Sequence, residues 1–108
     1  MFLFAAYQGN YALCQILLQN GVNIQQVDEN GHSALMFSSQ NGHLKICDLL
    51  IQNGASVSGV ENRGWSALML SAQNGHLEVC NLLIQNGAEV NHTPNDCLLY
   101  TSPSPRDS

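Results

Sequence analysis

The side chains best suited to chemistry in this sequence are thiols and imidazoles. His43 and Cys47, and again His76 and Cys80, stand four residues apart. On a helix that spacing puts both on one face, and such a pair can supply two ligands of a tetrahedral zinc site. Cys14, Cys47 and Cys80 recur every 33 residues. Packed helices lie about 8–10 Å apart axis to axis, whereas a disulfide needs Cα atoms within about 7 Å. A ladder of equivalent cysteines is therefore expected to stay unbridged. Cysteine is also a small apolar filler in cores, and reduced packing thiols in an intracellular protein are the better reading of the ladder. No Ser-His-Asp, Cys-His or paired-carboxylate set recurs beside a glycine-rich turn, and there is no phosphate-binding loop. Catalysis finds no support, and no cofactor is implied. Asn91-His92-Thr93 has the form of a glycosylation sequon, but Pro94 follows it, and chance explains it.

The elements that must position these residues come in copies. Gly31 to Val57 and Gly64 to Val90 agree at 20 of 27 positions, offset by 33 residues. A fixed period of this length marks stacked repeats that bury apolar faces against one another. Within a copy, Ser66 can cap a helix over about 67–74, and Gly75 breaks it. A second, amphipathic segment follows from about Leu77 to Gln85. Leu77, Val79, Cys80, Leu82, Leu83 and Ile84 are expected on its buried side. Asn86-Gly87 ends it, glycine taking the left-handed conformation without steric cost. Helices this short are marginal alone, so packing against the next copy has to stabilise them.

The copies resemble the ankyrin repeat, over about residues 1 to 95 and most strongly over Gly42 to Val57 and Gly75 to Asn91. The resemblance implies an all-α solenoid of helix–turn–helix pairs joined by projecting β-hairpin fingers. Its Gly-His pair and second-helix cysteine also account for His43, Cys47, His76 and Cys80 without a metal. Where the family usually has Thr-Pro-Leu-His, this chain has Ser33-Ala34-Leu35-Met36 and Ser66-Ala67-Leu68-Met69. Serine keeps the cap. The lost histidine is one that ties neighbouring repeats in the family, so a looser array than a consensus one is expected. On this register residues 1–24 form a partial repeat, 25–57 and 58–90 complete ones, and 91–96 the start of another.

The ends depart from the period. The capping residue before the first helix is missing, so Met1 reads as an internal methionine of a longer protein, and Phe2, Phe4 and Tyr7 are left without an upstream neighbour. MFLFAAYQ lacks the charged n-region and cleavage site of a signal peptide. Cys97 and Leu99 stand where the period requires glycine and Ser or Thr. The last stretch, CLLYTSPSPRDS, resembles the conceptual translation of a transposon-based sequencing adaptor. Residues 97–108 are expected to be a disordered, non-native tail.

The composition narrows the partner class. Net charge is −5, and the three basic residues, Lys45, Arg63 and Arg106, are scattered, which disfavours nucleic acid and anionic membrane. No run approaches the roughly 20 apolar residues of a membrane span. Surface recognition remains. In ankyrin proteins partners dock on finger tips and on the exposed side of the first helices. Here those positions are Glu29, Asn30, His32, Gln40, Asn62, Arg63, Trp65 and Gln73. Several are also where the copies differ. Trp65 beside Arg63 has the chemistry of an interface anchor, or else packs over the next finger as a filler. The expected function is an intracellular, cytoplasmic scaffold that binds a protein partner, monomeric in its full-length context. The alternatives are a zinc- or redox-active Cys/His module, or the repeat region of a larger enzyme such as a kinase.

Overall fold

The computed structural model describes residues 1–88. They form α1 (Phe2–Gln8), α2 (Tyr11–Gln19), α3 (Ala34–Gln40), α4 (Leu44–Gln52), α5 (Ala67–Gln73) and α6 (Leu77–Gln85). The short helices α1, α3 and α5 pack side by side as an inner row. The longer α2, α4 and α6 form an outer row, each against its own inner partner. The expectations for residues 91–96 and 97–108 lie outside the described residues.

The helix limits follow from local chemistry. Ser33 and Ser66 are extended, and each Oγ accepts from the N–H three residues on, Met36 and Met69, at 3.3 Å. Met1 offers α1 no such side chain. At the far ends of α2, α4 and α6, the Nδ2 atoms of Asn20, Asn53 and Asn86 donate to carbonyls one turn back, at 2.7–2.8 Å. Removing one cap oxygen, as in Ser66→Ala, is expected to cost about 1 kcal/mol. Urea denaturation of the variant against the parent measures it.

The core is continuous through the three helix pairs and is built from Phe2, Leu35, Ile46, Leu50, Val79 and Leu83, all at most 2% exposed. Small residues set the spacing between rows. Ala5, Ser38 and Ser71 share one repeat position and are all buried. Ser38 and Ser71 satisfy their hydroxyls by donating to the Leu35 and Leu68 carbonyls.

Three expectations need correction. Leu77 is 72% and Ile84 45% exposed, although both were assigned to the buried side of α6. Their equivalents Leu44 and Ile51 are partly buried, because α6 stands beside α4, whereas no described helix stands beyond α6. Phe2, grouped with Phe4 and Tyr7 as lacking an upstream neighbour, is nonetheless 2% exposed: it holds the register position of Leu35 and Leu68 and turns into the core. Phe4 and Tyr7 do stay open, at 59% and 47%. The fingers, lastly, contain no β-strand among the described residues. Each closes with a single antiparallel bridge, Val27 to Ser33 and Val60 to Ser66. The second bridged residue, Ser33 or Ser66, is also the cap at which α3 or α5 begins, and the turn takes up the residues between the bridged pair, which leaves no length for a ladder.

Candidate interaction surface at the finger tips

Both fingers solve the same turn problem with a carboxylate. In the first, Asp28 Oδ1 accepts from the N–H groups of Asn30 (2.9 Å) and His32 (2.8 Å). The Asp28 N–H donates to the His32 carbonyl and the Gly31 N–H to the Asp28 carbonyl, both at 3.0 Å. In the second finger Glu61 Oε1 accepts from the N–H groups of Arg63 and Trp65, and the two backbone bonds recur at Glu61–Trp65 and Gly64–Glu61. The fingers are joined to each other. The Asn62 N–H donates to the Asn30 carbonyl at 2.9 Å, and Asn62 Nδ2 donates to the Glu29 carbonyl at 3.3 Å.

Partial burial pushes the Asp28 carboxyl up, but the two backbone N–H bonds and the adjacent His32 together hold it below the usual carboxylate range. Its contribution to stability is therefore complete above its unfolded value and fades as pH falls through the lowered folded one. Asp28→Asn is expected to flatten that part of the acid limb of a stability–pH curve followed by circular dichroism.

His32 lies inward. Its ring stacks on Phe37 with centroids 5.2 Å apart and 23° between planes. Nδ1 faces Asp28 Oδ1 at 3.6 Å, and Nε2 faces Glu61 Oε2 at 3.5 Å. The Glu61 side chain, only 1% exposed, also accepts from Arg63 Nε at 3.1 Å. The Arg63 guanidinium lies over the Trp65 ring, 5.7 Å from its centre, a cation–π arrangement. Asn30, His32, Glu61, Asn62 and Arg63 together line an open recess of about 300 Å³ between the fingers.

Of the eight residues singled out from sequence, Glu29, Asn30, Asn62, Arg63 and Gln73 are exposed, and His32, Gln40 and Trp65 are half-buried. Asn30, His32, Asn62 and Arg63 meet at the recess. Gln40 and Gln73 end α3 and α5, apart from it. Trp65 is packed against the core with Arg63 above it, so it is not a freely exposed indole. Sequence reading passed over Asp28 and Glu61. The available signal was an acid at the same repeat position in both copies.

The His/Cys pairs do not converge. His43 and His76 are the residues just before α4 and α6. His43 Nε2 lies 3.0 Å from the Tyr7 carbonyl oxygen of the preceding helix pair, to which Asn41 Nδ2 also donates at 2.9 Å. The Cys47 thiol turns the other way, donating to Ser38 Oγ at 3.3 Å with Ser39 Oγ at 3.5 Å. Cys80 meets Ser71 Oγ at 3.3 Å. Among the described residues no group of three or more His, Cys, Asp or Glu is arranged to hold a metal ion. Cys14, Cys47 and Cys80 are free and buried. Burial pushes the Cys14 and Cys47 thiols up, and the serine bonds only partly offset this at Cys47. All three are expected to react slowly with an aromatic disulfide reagent in the native state and quickly in denaturant, as a colorimetric time course would show.

The geometry comprises short inner helices, two of them capped by serine, longer outer helices, a glycine turn between them that is Gly-His in the two later pairs, and a finger before each later pair. A family model for ankyrin repeats, in three copies, matches residues 2–94. The chain belongs to the ankyrin-repeat family. No match was found among curated proteins. Ankyrin repeats are as a rule protein-interaction modules and typically non-catalytic. One tie between the first two of these ankyrin repeats runs through His43 and Asn41 to the Tyr7 carbonyl, while Met36, at the family's usual histidine position, is buried at 4% exposure. No helix of the described residues is long and apolar enough to cross a membrane.

Proposed function

We propose that this chain is an intracellular protein-binding scaffold with no catalytic step of its own, and that its partner is a protein engaged by the finger tips and the open ends of α3 and α5. One observation carries the reading. The bond from the Asn62 N–H to the Asn30 carbonyl sets the two tips in one row, so that Glu29, Asn30, Asn62 and Arg63 project from a common edge. That edge is polar and mixed in charge, and the exposed Arg63 guanidinium, lying over the half-buried Trp65 ring, supplies the planar cation that interfaces favour. The repeat boundaries at 25–57 and 58–90 are part of the same proposal, each repeat contributing one finger to the row.

Photo-crosslinking from single positions tests it. A photoreactive side chain at position 29 or 73 is expected to capture the same protein in cells. One at position 19 or 52, on the outer row, is expected to capture none of it. Capture of that protein from the outer positions and not from the tips would overturn the assignment.

A further inference from the structure

Six Asn-Gly pairs lie in the described residues, at Asn20, Asn30, Asn41, Asn53, Asn74 and Asn86. Asn-Gly is the dipeptide most open to spontaneous deamidation, because glycine offers no side chain to hinder attack by its own backbone nitrogen. Asparagine is a recognised thermolabile residue for this reason. In all six the glycine N–H is already bonded to a carbonyl, at 3.0–3.2 Å, so that bond does not distinguish them. The asparagine side chains do. Nδ2 of Asn20, Asn53, Asn74 and Asn86 donates to a carbonyl one helical turn back. Asn41 Nδ2 donates across to the Tyr7 carbonyl at 2.9 Å. These five amides are tethered at helix ends, although Asn20, Asn53, Asn74 and Asn86 are themselves exposed. Asn30 is bonded through its backbone N–H, to Asp28 Oδ1, and through its carbonyl, to the Asn62 N–H. Its side-chain amide makes no hydrogen bond among the described residues. It stands exposed at the tip of a finger held by hydrogen bonds and one bridge, Val27 to Ser33, and a tip without a helix of its own opens locally more readily than a helix end.

We infer that Asn30-Gly31 is a self-modifying site, the one of the six that converts to aspartate and isoaspartate in the folded protein. The Gly31 nitrogen attacks Asn30 Cγ, and the Cγ–Nδ2 bond breaks. Nδ2 leaves as ammonia, carrying the proton lost from the Gly31 nitrogen, and a succinimide ring remains. Water adds to one of its two carbonyls and opens the ring to aspartate or isoaspartate. No oxidant or cofactor takes part.

The local consequence is specific. A new carboxylate arises between Asp28, Glu29 and Glu61. The isoaspartyl product also inserts an extra methylene into the backbone, which carries the Asn30 carbonyl away from the Asn62 N–H and uncouples the two tips. The edge proposed to meet the partner would thus change its charge and register with age. The modification itself stands on the turn geometry and does not depend on the interaction reading.

Peptide mapping by mass spectrometry, with chromatographic separation of the isoaspartyl form, tests it on the full chain. The chain is held at mildly alkaline pH with and without denaturant, and all six sites are followed in time. Native Asn30 is expected to convert several-fold faster than each of the other five, and the difference is expected to collapse in denaturant. Equal native rates, or another site leading, would overturn the inference. So would an Asn30 lead that persists undiminished in denaturant, since local sequence and not the fold would then set it. Asn30→Gln is expected to abolish the early product and leave the other five rates unchanged.

Discussion

Replacing Gly42 by alanine is expected to destabilise the stack by about 2–4 kcal/mol, while the same change at Gly75 costs about 1–2 kcal/mol. The two glycines hold one repeat position, the turn between inner and outer helix, with φ of 75° and 77°. Both substitutions therefore carry the same left-handed backbone penalty. They differ in what stands next door. A Cβ at Gly42 would lie 2.6 Å from His76 Nδ1 and 2.7 Å from His76 Cε1, whereas at Gly75 nothing described lies within 4 Å. The excess at Gly42 is the cost of displacing the imidazole that the next repeat lays over this turn. A double-mutant cycle isolates it: in a His76→Ala background the Gly42→Ala cost is expected to fall to that of Gly75→Ala. Equal costs in the parent chain would show that the ring moves aside freely and that this contact does not tie the repeats. Gly9 faces His43 in the same way, with Cε1 2.7 Å from the position of an added Cβ. There a displaced ring would also lose its contact with the Tyr7 carbonyl.

The same turn shows what the sequence can and cannot disclose. Helix limits were readable because caps and breakers are local. The second helix of the third pair runs from Leu77 to Gln85 as its punctuation requires, and the first ends at Gln73, one residue before the expected limit. Periodicity tells which face of a helix is apolar but not whether anything stands opposite. Leu77 and Ile84 carry the same pattern as Leu44 and Ile51 and are nonetheless open to solvent. The candidate surface was legible at its tips, since the copies differ there and turn residues project. Its interior was not. His32 reads as an exposed finger residue until Phe37, Asp28 and Glu61 are seen around it. Glu61, one acid in a turn of polar residues, reads as a solvated charge until its side chain is found shielded. Phe37 and Asp28 lie within five residues of His32, but Glu61 is 29 positions away, and only the stacking of one repeat on the next brings it there.

Glu61 is where that stacking is expected to show most strongly in a single substitution. Its carboxylate is shielded from water and has two separate duties. Within its own finger Oε1 accepts from the Arg63 and Trp65 N–H groups. Between fingers Oε2 faces His32 Nε2 at 3.5 Å while also holding Arg63 Nε at 3.1 Å. Glu61→Ala removes both: two bonds to turn N–H groups are lost, and so is the acidic neighbour of His32 across the finger interface. A loss of about 3–5 kcal/mol is expected. Glu61→Asp separates the duties. Asp28 shows that the shorter acid closes this turn, taking the equivalent N–H groups at 2.9 and 2.8 Å. Aspartate at 61 is therefore expected to keep the finger closed and to withdraw from His32, at a cost of about 1 kcal/mol. Chemical denaturation gives both values, and the chemical shifts of the Asn30 and Asn62 amides report whether the tips stay in register. If Glu61→Asp proved as damaging as Glu61→Ala, the stability would reside in the link to His32 and not in the turn. If both were harmless, the buried carboxylate would be a passenger, and the two fingers would be aligned by the bonds from Asn62 to the Asn30 and Glu29 carbonyls.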